Sequence, residues 1–110
     1  MLSLSEYAQY DGLGLAELVA RKEVTSEELV KTAVGAIEKI NPKINAVLQI
    51  LDDQALKESR GTVVEGPFAG VPFLIKELVL HAKGVRLDMG GMALNRWVKP
   101  TSPSFRAFAI

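Results

Sequence analysis

The sequence predicts an α/β fold, with N-terminal helices and the first strands of a mixed sheet that is incomplete without downstream sequence. Two stretches with apolar residues at helical spacing come first, between residues 11 and 40. Two short apolar runs follow, Asn45–Leu51 and Val71–Ile75, each with the length and content of a buried strand. The order helix, helix, strand, helix, strand indicates helices layered on a sheet.

The composition is that of an ordinary globular chain. Of the 110 residues, 48% are hydrophobic and 24% are charged, which allows one small domain with a modest core. Basic and acidic residues number 13 each, so no net charge attracts nucleic acid or an anionic membrane. The absence of cysteine, of a secretory signal and of an apolar run near the ~20 residues of a membrane helix favours a cytoplasmic protein.

The first helix is predicted to begin at Asp11, after a weakly patterned lead-in over residues 1–10. A short polar side chain at this position can accept a hydrogen bond from a free N–H of the first turn. Arg21 and Lys22 are predicted to lie in the last turn, where cations complement the helix dipole. The apolar positions form one stripe, at Leu15, Leu18 and Val19.

The second helix has a stronger start signal, because Thr25 and Glu28 form a capping-box pattern. Gly35 weakens a helix and is predicted to mark the close approach of a neighbour. Asn41–Pro42 is predicted to end the helix, because the residue before a proline is displaced from the α region. The inward-facing positions are predicted to be Leu29, Ala33, Ala36, Ile37 and Ile40.

A third helix is predicted from Asp52, as its cap, to about Arg60, with Ala55 and Leu56 facing inward. The pair Asp52–Asp53 is better interpreted as this helix start than as a catalytic pair.

The densest pattern of the chain is the segment Gly66–Glu77, GPFAGVPFLIKE. Gly66–Pro67 and Gly70 are predicted to bend the chain, since glycine tolerates positive φ and proline fixes φ. An apolar strand then leads to Lys76, which permits two interpretations. Its stem can cover apolar surface while the ammonium group reaches water. Alternatively, desolvation can favour a neutral amine that accepts a proton.

This segment resembles the lysine segment of the amidase signature family, whose members carry Gly-Pro-Leu-x-Gly-Val/Ile-Pro-x-x-x-Lys-Asp. The resemblance extends upstream through Thr25–Leu29 and Asn41–Val47, and weakly downstream through Gly84–Arg86. It implies that Lys76 is the catalytic lysine of a Ser-cis-Ser-Lys triad. Both serines of that triad lie in a Gly/Ser-rich stretch that this sequence does not contain.

On this resemblance, residues 1–110 are predicted to be a single N-terminal portion of an amidase-like domain. Its parts are a lead-in (1–10), a helical scaffold with one strand (11–60), the lysine-motif loop and strand (61–80) and a diverged, loop-rich end (81–110).

The resemblance implies an amidase, which hydrolyses the C–N bond of a carboxylic amide through an acyl-enzyme. The implied substrate is a small-molecule amide, no metal or organic cofactor is implied, no nucleic acid or membrane binds directly, and a homo-oligomer is allowed. The chain is expected to be a truncated piece, inactive alone. The alternative is a non-catalytic small α/β module that packs or associates.

Two further groups bear on the chemistry of the chain. His81 is the only histidine, and a hydrogen-bonded or exposed structural role is favoured over that of a general base, because no orienting partner is suggested nearby. Gly90–Gly91 lacks the spacing and the following Lys-Ser/Thr of a phosphate-binding loop.

Overall fold

The computed structural model describes residues 2–62 and 65–75, and helices make up more than half of them. The chain divides into two compact units, of which the first contains the described residues up to Phe73 and the second contains Leu74 and Ile75. The four helices are α1 (Leu4–Tyr7), α2 (Gly12–Ala20), α3 (Ser26–Ile44) and α4 (Asp52–Ser59).

Helix α1 lies in the segment that shows no periodicity in the sequence. Its start is fixed by a capping box, in which the Glu6 amide donates to Ser3 Oγ at 3.3 Å and the Ser3 amide donates to Glu6 Oε2 at 2.8 Å. Two free N–H groups of the first turn are satisfied in this way. A single turn of helix is too short to produce an apolar period, so only the cap could have signalled it.

The predicted starts of α2 and α3 are confirmed. The Asp11 carboxylate accepts a hydrogen bond from the Gly14 amide at 2.7 Å. Thr25 Oγ1 accepts from the Glu28 amide at 3.1 Å, and the Thr25 amide donates to Glu28 Oε2 at 2.9 Å. These caps need only residues three positions apart, which makes them visible in a sequence.

The predicted end of α2 is wrong by one or two residues. The helix ends at Ala20, so Arg21 is the C-cap and Lys22 lies beyond the last turn with a φ of 61°. Lys22 therefore has the left-handed conformation with which many helices end.

The predicted end of α3 is also wrong, because the helix continues through Pro42 to Ile44. Asn45 ends it with a φ of 49°, and its amide donates to the Asn41 carbonyl at 2.7 Å. The Asn41 side chain then exchanges two hydrogen bonds with the backbone of Val47, at 2.8 and 2.9 Å. The end of α3 is thus set by these polar contacts and not by the proline.

Helix α4 begins one residue earlier than predicted, because Asp52 is its first residue and not its cap. Leu51 is the N-cap and makes no side-chain capping bond, whereas Asp52 and Asp53 lie in the first turn. Carboxylates in the first turn interact favourably with the positive end of the helix dipole, which supports the interpretation of the pair as a helix start. Arg60, just past the helix, donates from Nη2 to Glu27 Oε1 of α3 at 3.0 Å.

Two apolar clusters form the core of the described part of the chain. One is built from Leu15, Leu18, Val24 and Leu29, and the other from Val30, Ala33 and Ala55. Leu29 is fully buried. Tyr7 of α1 packs against both clusters, and burial raises the pKa of its phenol.

The predicted inward positions are confirmed for most of the three apolar stripes. Val19 packs on the first cluster, and Ile37 and Leu56 pack on the second. Ile40 contradicts the prediction because it is 45% exposed. The predicted close approach of a neighbour to Gly35 is also wrong, since a Cβ at this position would meet nothing within 4 Å.

The predicted α/β class is wrong, because residues 2–62 and 65–75 form helices and no sheet. Asn45–Leu51 is an irregular connection between α3 and α4. Val47 shows the physical reason, since its amide and its carbonyl are both bonded to Asn41 and are not available for a strand ladder. Val71–Ile75 is likewise irregular, apart from an isolated bridge at Phe73.

Candidate functional site

The lysine motif begins with two consecutive tight turns, and both predicted bends are confirmed. The Ala69 amide donates to the Gly66 carbonyl at 3.2 Å, which closes the first turn around Pro67. The Val71 amide donates to the Phe68 carbonyl at 3.1 Å, which closes the second. Gly70 is the third residue of that second turn and has a φ of 82°. This is the position at which a type II turn requires glycine or asparagine.

The second turn is bonded to the start of α3. Ser26 Oγ donates to the Gly70 carbonyl at 2.7 Å, a contact between residues 44 positions apart. Ser26 is the first residue of α3 and is buried. Its hydroxyl therefore satisfies a backbone acceptor in a part-buried hydrogen bond.

Gly70 also lies very close to α2. A Cβ on Gly70 would stand 3.0 Å from Val19 Cγ1 and 3.4 Å from the Cβ of Ser26. Both the backbone conformation and the space at this position therefore select glycine.

The first turn contacts the start of α2 through Phe68. A Cβ added to Gly12 would stand 3.0 Å from two atoms of the Phe68 ring. The ring is 60% exposed, so it lies across the surface of α2 and is not inserted into the core. The two turns are thus held at two points, Gly12 and Ser26, at the starts of successive helices.

A cavity of about 680 Å³ lies beside the turns, mainly lined by apolar groups. Its wall consists of residues 66–73 of the motif together with Gly12, Ser26, Val30, Ala55, Glu58 and Ser59. Glu58 Oε1 accepts a hydrogen bond from Gln54 Nε2 at 3.0 Å. Glu58 Oε2 is buried and has no hydrogen-bond partner among the described residues. A cavity of this size and polarity is typical of a small-molecule site.

The strongest electrostatic feature is the Glu27 carboxylate, which joins α3 to α4. Arg60, through its hydrogen bond, and then Lys31, whose Nζ is 2.9 Å away, lower the pKa of Glu27 from 4.5 to about 2. The hydrogen bond between Arg60 and Glu27 also raises the pKa of Arg60. These charges tie the helices together outside the cavity wall.

The predicted catalytic residue, Lys76, lies outside the described residues, as do His81 and Gly90–Gly91. The structure does describe the turn that contains Gly70, which precedes Lys76 by six residues in the chain. Sequence reasoning missed the contact made by Ser26. No local signal could have revealed a partner 44 positions away.

Neither a metal centre nor a membrane span is present in residues 2–62 and 65–75. Within those ranges, no group of three or more His, Cys, Asp or Glu residues could hold a metal ion. None of the helices there has both the length and the apolar character needed to cross a bilayer.

Comparison with known proteins identifies several relatives. The chain is 44% identical over 85 residues to the lipoamidase of Enterococcus faecalis, a match that covers 76% of this chain and 12% of the relative. It is 39% identical over 74 residues to the 6-aminohexanoate-cyclic-dimer hydrolase of Paenarthrobacter ureafaciens, covering 67% and 15% of the two chains. It is 34% identical over 93 residues to a glutamyl-tRNA(Gln) amidotransferase subunit of Moorella thermoacetica, covering 78% and 19%.

The similarity to the lipoamidase and to the amidotransferase subunit includes the lysine motif, but only part of each of these proteins. A match that covers 76% of 110 residues necessarily includes residues 27–84, and therefore Gly66–Glu77. The chain spans less than a fifth of the length of the three relatives. No family model matches the chain. No solved structure matches it either. The relatives and the motif agree on one assignment: this chain belongs to the amidase signature family.

Proposed function

We propose that this chain is the lysine-bearing N-terminal part of an amidase, which hydrolyses the C–N bond of a small-molecule amide in the cytoplasm. The observation that carries the proposal is the 44% identity to a lipoamidase over a stretch that includes Lys76. Two further relatives support it, one named as a 6-aminohexanoate-cyclic-dimer hydrolase and one as a subunit of a glutamyl-tRNA(Gln) amidotransferase. The chain alone is inactive under this proposal, because the resemblance puts both serines of the triad downstream.

Lys76 acts as the base of the reaction in this proposal. Its neutral amine accepts the proton that a relay serine takes from the attacking serine, so the attacking oxygen becomes a competent nucleophile. The attack forms an acyl-enzyme and breaks the C–N bond, and the same proton is returned to the leaving amine. Water then hydrolyses the acyl-enzyme, which releases the acid.

The described part of the motif is compatible with this role. A base is effective only when it stays within hydrogen-bond reach of its partner, so the chain that leads to it must be fixed. The turns before Lys76 are closed by two backbone hydrogen bonds and bonded to α3 through Ser26. A cavity of about 680 Å³ adjoins these turns and is mainly lined by apolar groups.

The first experiment compares this 110-residue chain with the longest natural form of its reading frame. Both are assayed for release of acid and amine from lipoamide, from the cyclic dimer of 6-aminohexanoate and from glutamine. We expect turnover of at least one amide by the longer form and none by the 110-residue chain. Activity of the short chain would show that it holds its own nucleophile, and inactivity of both forms would favour the non-catalytic module.

The second experiment substitutes Lys76→Ala in the longer form. General-base catalysis contributes a factor of about 10²–10⁴, so we expect turnover to fall by at least a hundredfold with the folded state retained. The matched control is Lys57→Ala, which removes an exposed lysine of α4 and should leave turnover within about twofold of wild type. Wild-type turnover in Lys76→Ala would show that Lys76 is not the base of the reaction.

A further inference from the structure

We infer that Ser26 is a positioning residue for the lysine segment: its hydroxyl holds the Gly70 turn in place, and the turn in turn fixes the chain that leads to Lys76. The inference rests on the proposed function for its catalytic consequence. The holding contact itself is independent of any activity. It is the 2.7 Å hydrogen bond from Ser26 Oγ to the Gly70 carbonyl.

The environment of Ser26 makes this hydrogen bond a strong restraint. Ser26 is only 9% exposed, and its hydroxyl donates a part-buried hydrogen bond to the Gly70 carbonyl. The loss of a donor to a part-buried carbonyl costs more than the loss of an exposed hydrogen bond. The turn is therefore most stable in the position where the Gly70 carbonyl can accept a hydrogen bond from Ser26 Oγ.

Packing adds a second restraint at the same point. Gly70 stands against Val19 and the Cβ of Ser26 so closely that a Cβ would not fit without a shift. Ser26 itself is fixed as the first residue of α3, next to a complete capping box at Thr25. A rigid helix start thus holds a tight turn, and the turn precedes Lys76 by only six residues.

Ser59 offers a matched comparison within the same cavity wall. Its hydroxyl also donates to a backbone carbonyl, that of Leu56, at 2.8 Å. That bond joins two residues of α4 that are three positions apart. The substitutions Ser26→Ala and Ser59→Ala therefore delete the same chemical group, and only the first releases the turn.

The first test is amide hydrogen exchange of the folded 110-residue chain, read at Val71, whose amide closes the turn by donating to Phe68. We expect Ser26→Ala to accelerate exchange at Val71 by about tenfold, which corresponds to about 1.4 kcal/mol, while amides in the middle of α3 change less. Ser59→Ala should leave Val71 within about twofold of wild type. Equal exchange at Val71 in wild type and Ser26→Ala would overturn the inference.

The second test uses the longest natural form and separates kcat from KM. We expect Ser26→Ala to lower kcat by about tenfold because the base is misplaced, and a change in KM measures separately how far the shifted cavity wall alters substrate binding. An active enzyme whose kcat is unchanged by Ser26→Ala would overturn the positioning role even if exchange at Val71 increased. A wild-type longer form with no amidase activity would instead remove the proposed function, and the exchange test would still decide whether Ser26 holds the turn.

Discussion

Gly70 is the residue of the motif whose replacement is expected to destabilise the turns most directly. Gly70→Ala places a Cβ where φ is 82° and Val19 Cγ1 is 3.0 Å away. A left-handed non-glycine residue costs about 1–2 kcal/mol, and the crowding adds to this, so we expect a loss of about 2–3 kcal/mol in the free energy of unfolding. Urea unfolding followed by circular dichroism measures the change.

The matched control for this prediction is Gly35→Ala. Gly35 lies inside α3 and has open space around it, so alanine should gain helix propensity without a clash. We expect the control to raise stability by up to about 1 kcal/mol. Equal effects of the two substitutions, or a neutral Gly70→Ala, would show that the turn accepts a side chain.

Residue-scale features were predictable where both partners are close in sequence. Asp11 and Thr25 find their partners three positions later, so the sequence contains the whole capping interaction. Asn41 and Ser26 find theirs six and 44 positions away, across a change of chain direction. Such contacts depend on where the intervening chain goes, and a local pattern does not carry that information.

At the scale of elements, α3 and α4 are joined by the charges at Glu27, which predicts a specific pH dependence. The pKa of Glu27 is about 2 in the folded state against an ordinary 4.5, so the unfolded chain binds a proton more readily in acid. The stabilisation is therefore complete above about pH 5 and is lost as pH falls toward 2. Glu27→Gln should unfold with a shallower dependence on pH over this range, measured by urea unfolding at each pH.

Salt provides the control for this prediction. Glu27 and Arg60 lie at the surface, so their interaction is screened by mobile ions. In 1 M NaCl the pH curves of wild type and Glu27→Gln should approach each other. An unchanged gap between the curves would show that Glu27 acts through something other than these ion pairs.

The helices themselves were more predictable than their ends or the connections between them. The spacing of apolar residues located α2 and α3, because one buried stripe is enough to mark a helix, and the acidic start at Asp52 located α4. The run Asn45–Leu51 was misinterpreted because length and apolar content do not distinguish a strand from a connection. What decided its structure was the pair of Asn41 hydrogen bonds that use both backbone groups of Val47.

At the scale of the whole unit, Tyr7 connects the two halves of the core. It packs against the Leu15–Leu29 cluster and against the Val30–Ala55 cluster, although α1 is only one turn long. Loss of a half-buried aromatic ring creates a cavity shared by both clusters. We expect Tyr7→Ala to lower the free energy of unfolding by about 2–3 kcal/mol, somewhat less than for a fully buried ring.

Tyr10→Ala is the comparison for this prediction. Tyr10 is 43% exposed and belongs to neither cluster, so its truncation should cost less than about 1 kcal/mol in the same urea assay. If the two tyrosines proved equivalent, the core of the first unit would not depend on α1.

The two turns of the motif were predicted correctly and the sheet was not, and the difference has a physical reason. Proline fixes φ and glycine permits a positive φ wherever they occur, so the two turns followed from Gly66, Pro67 and Gly70 themselves. A sheet requires hydrogen-bond partners from other strands, and an apolar run does not state whether they are present. Lys76, and the division of residues 1–110 into the predicted parts, stay predictions.

The distance along the chain between Ser26 and Gly70 has a consequence for the order in which the protein is assembled. A ribosome adds about 5–20 residues per second, so the 44 positions between them take about 2–9 s to synthesise. Helices α2 and α3 can form in microseconds, which is much faster than this synthesis. They can therefore form before the turn emerges, while the Ser26 hydroxyl is still hydrated. The segment that leads to the lysine is therefore the last of these pieces to be docked, onto a surface that was built before it.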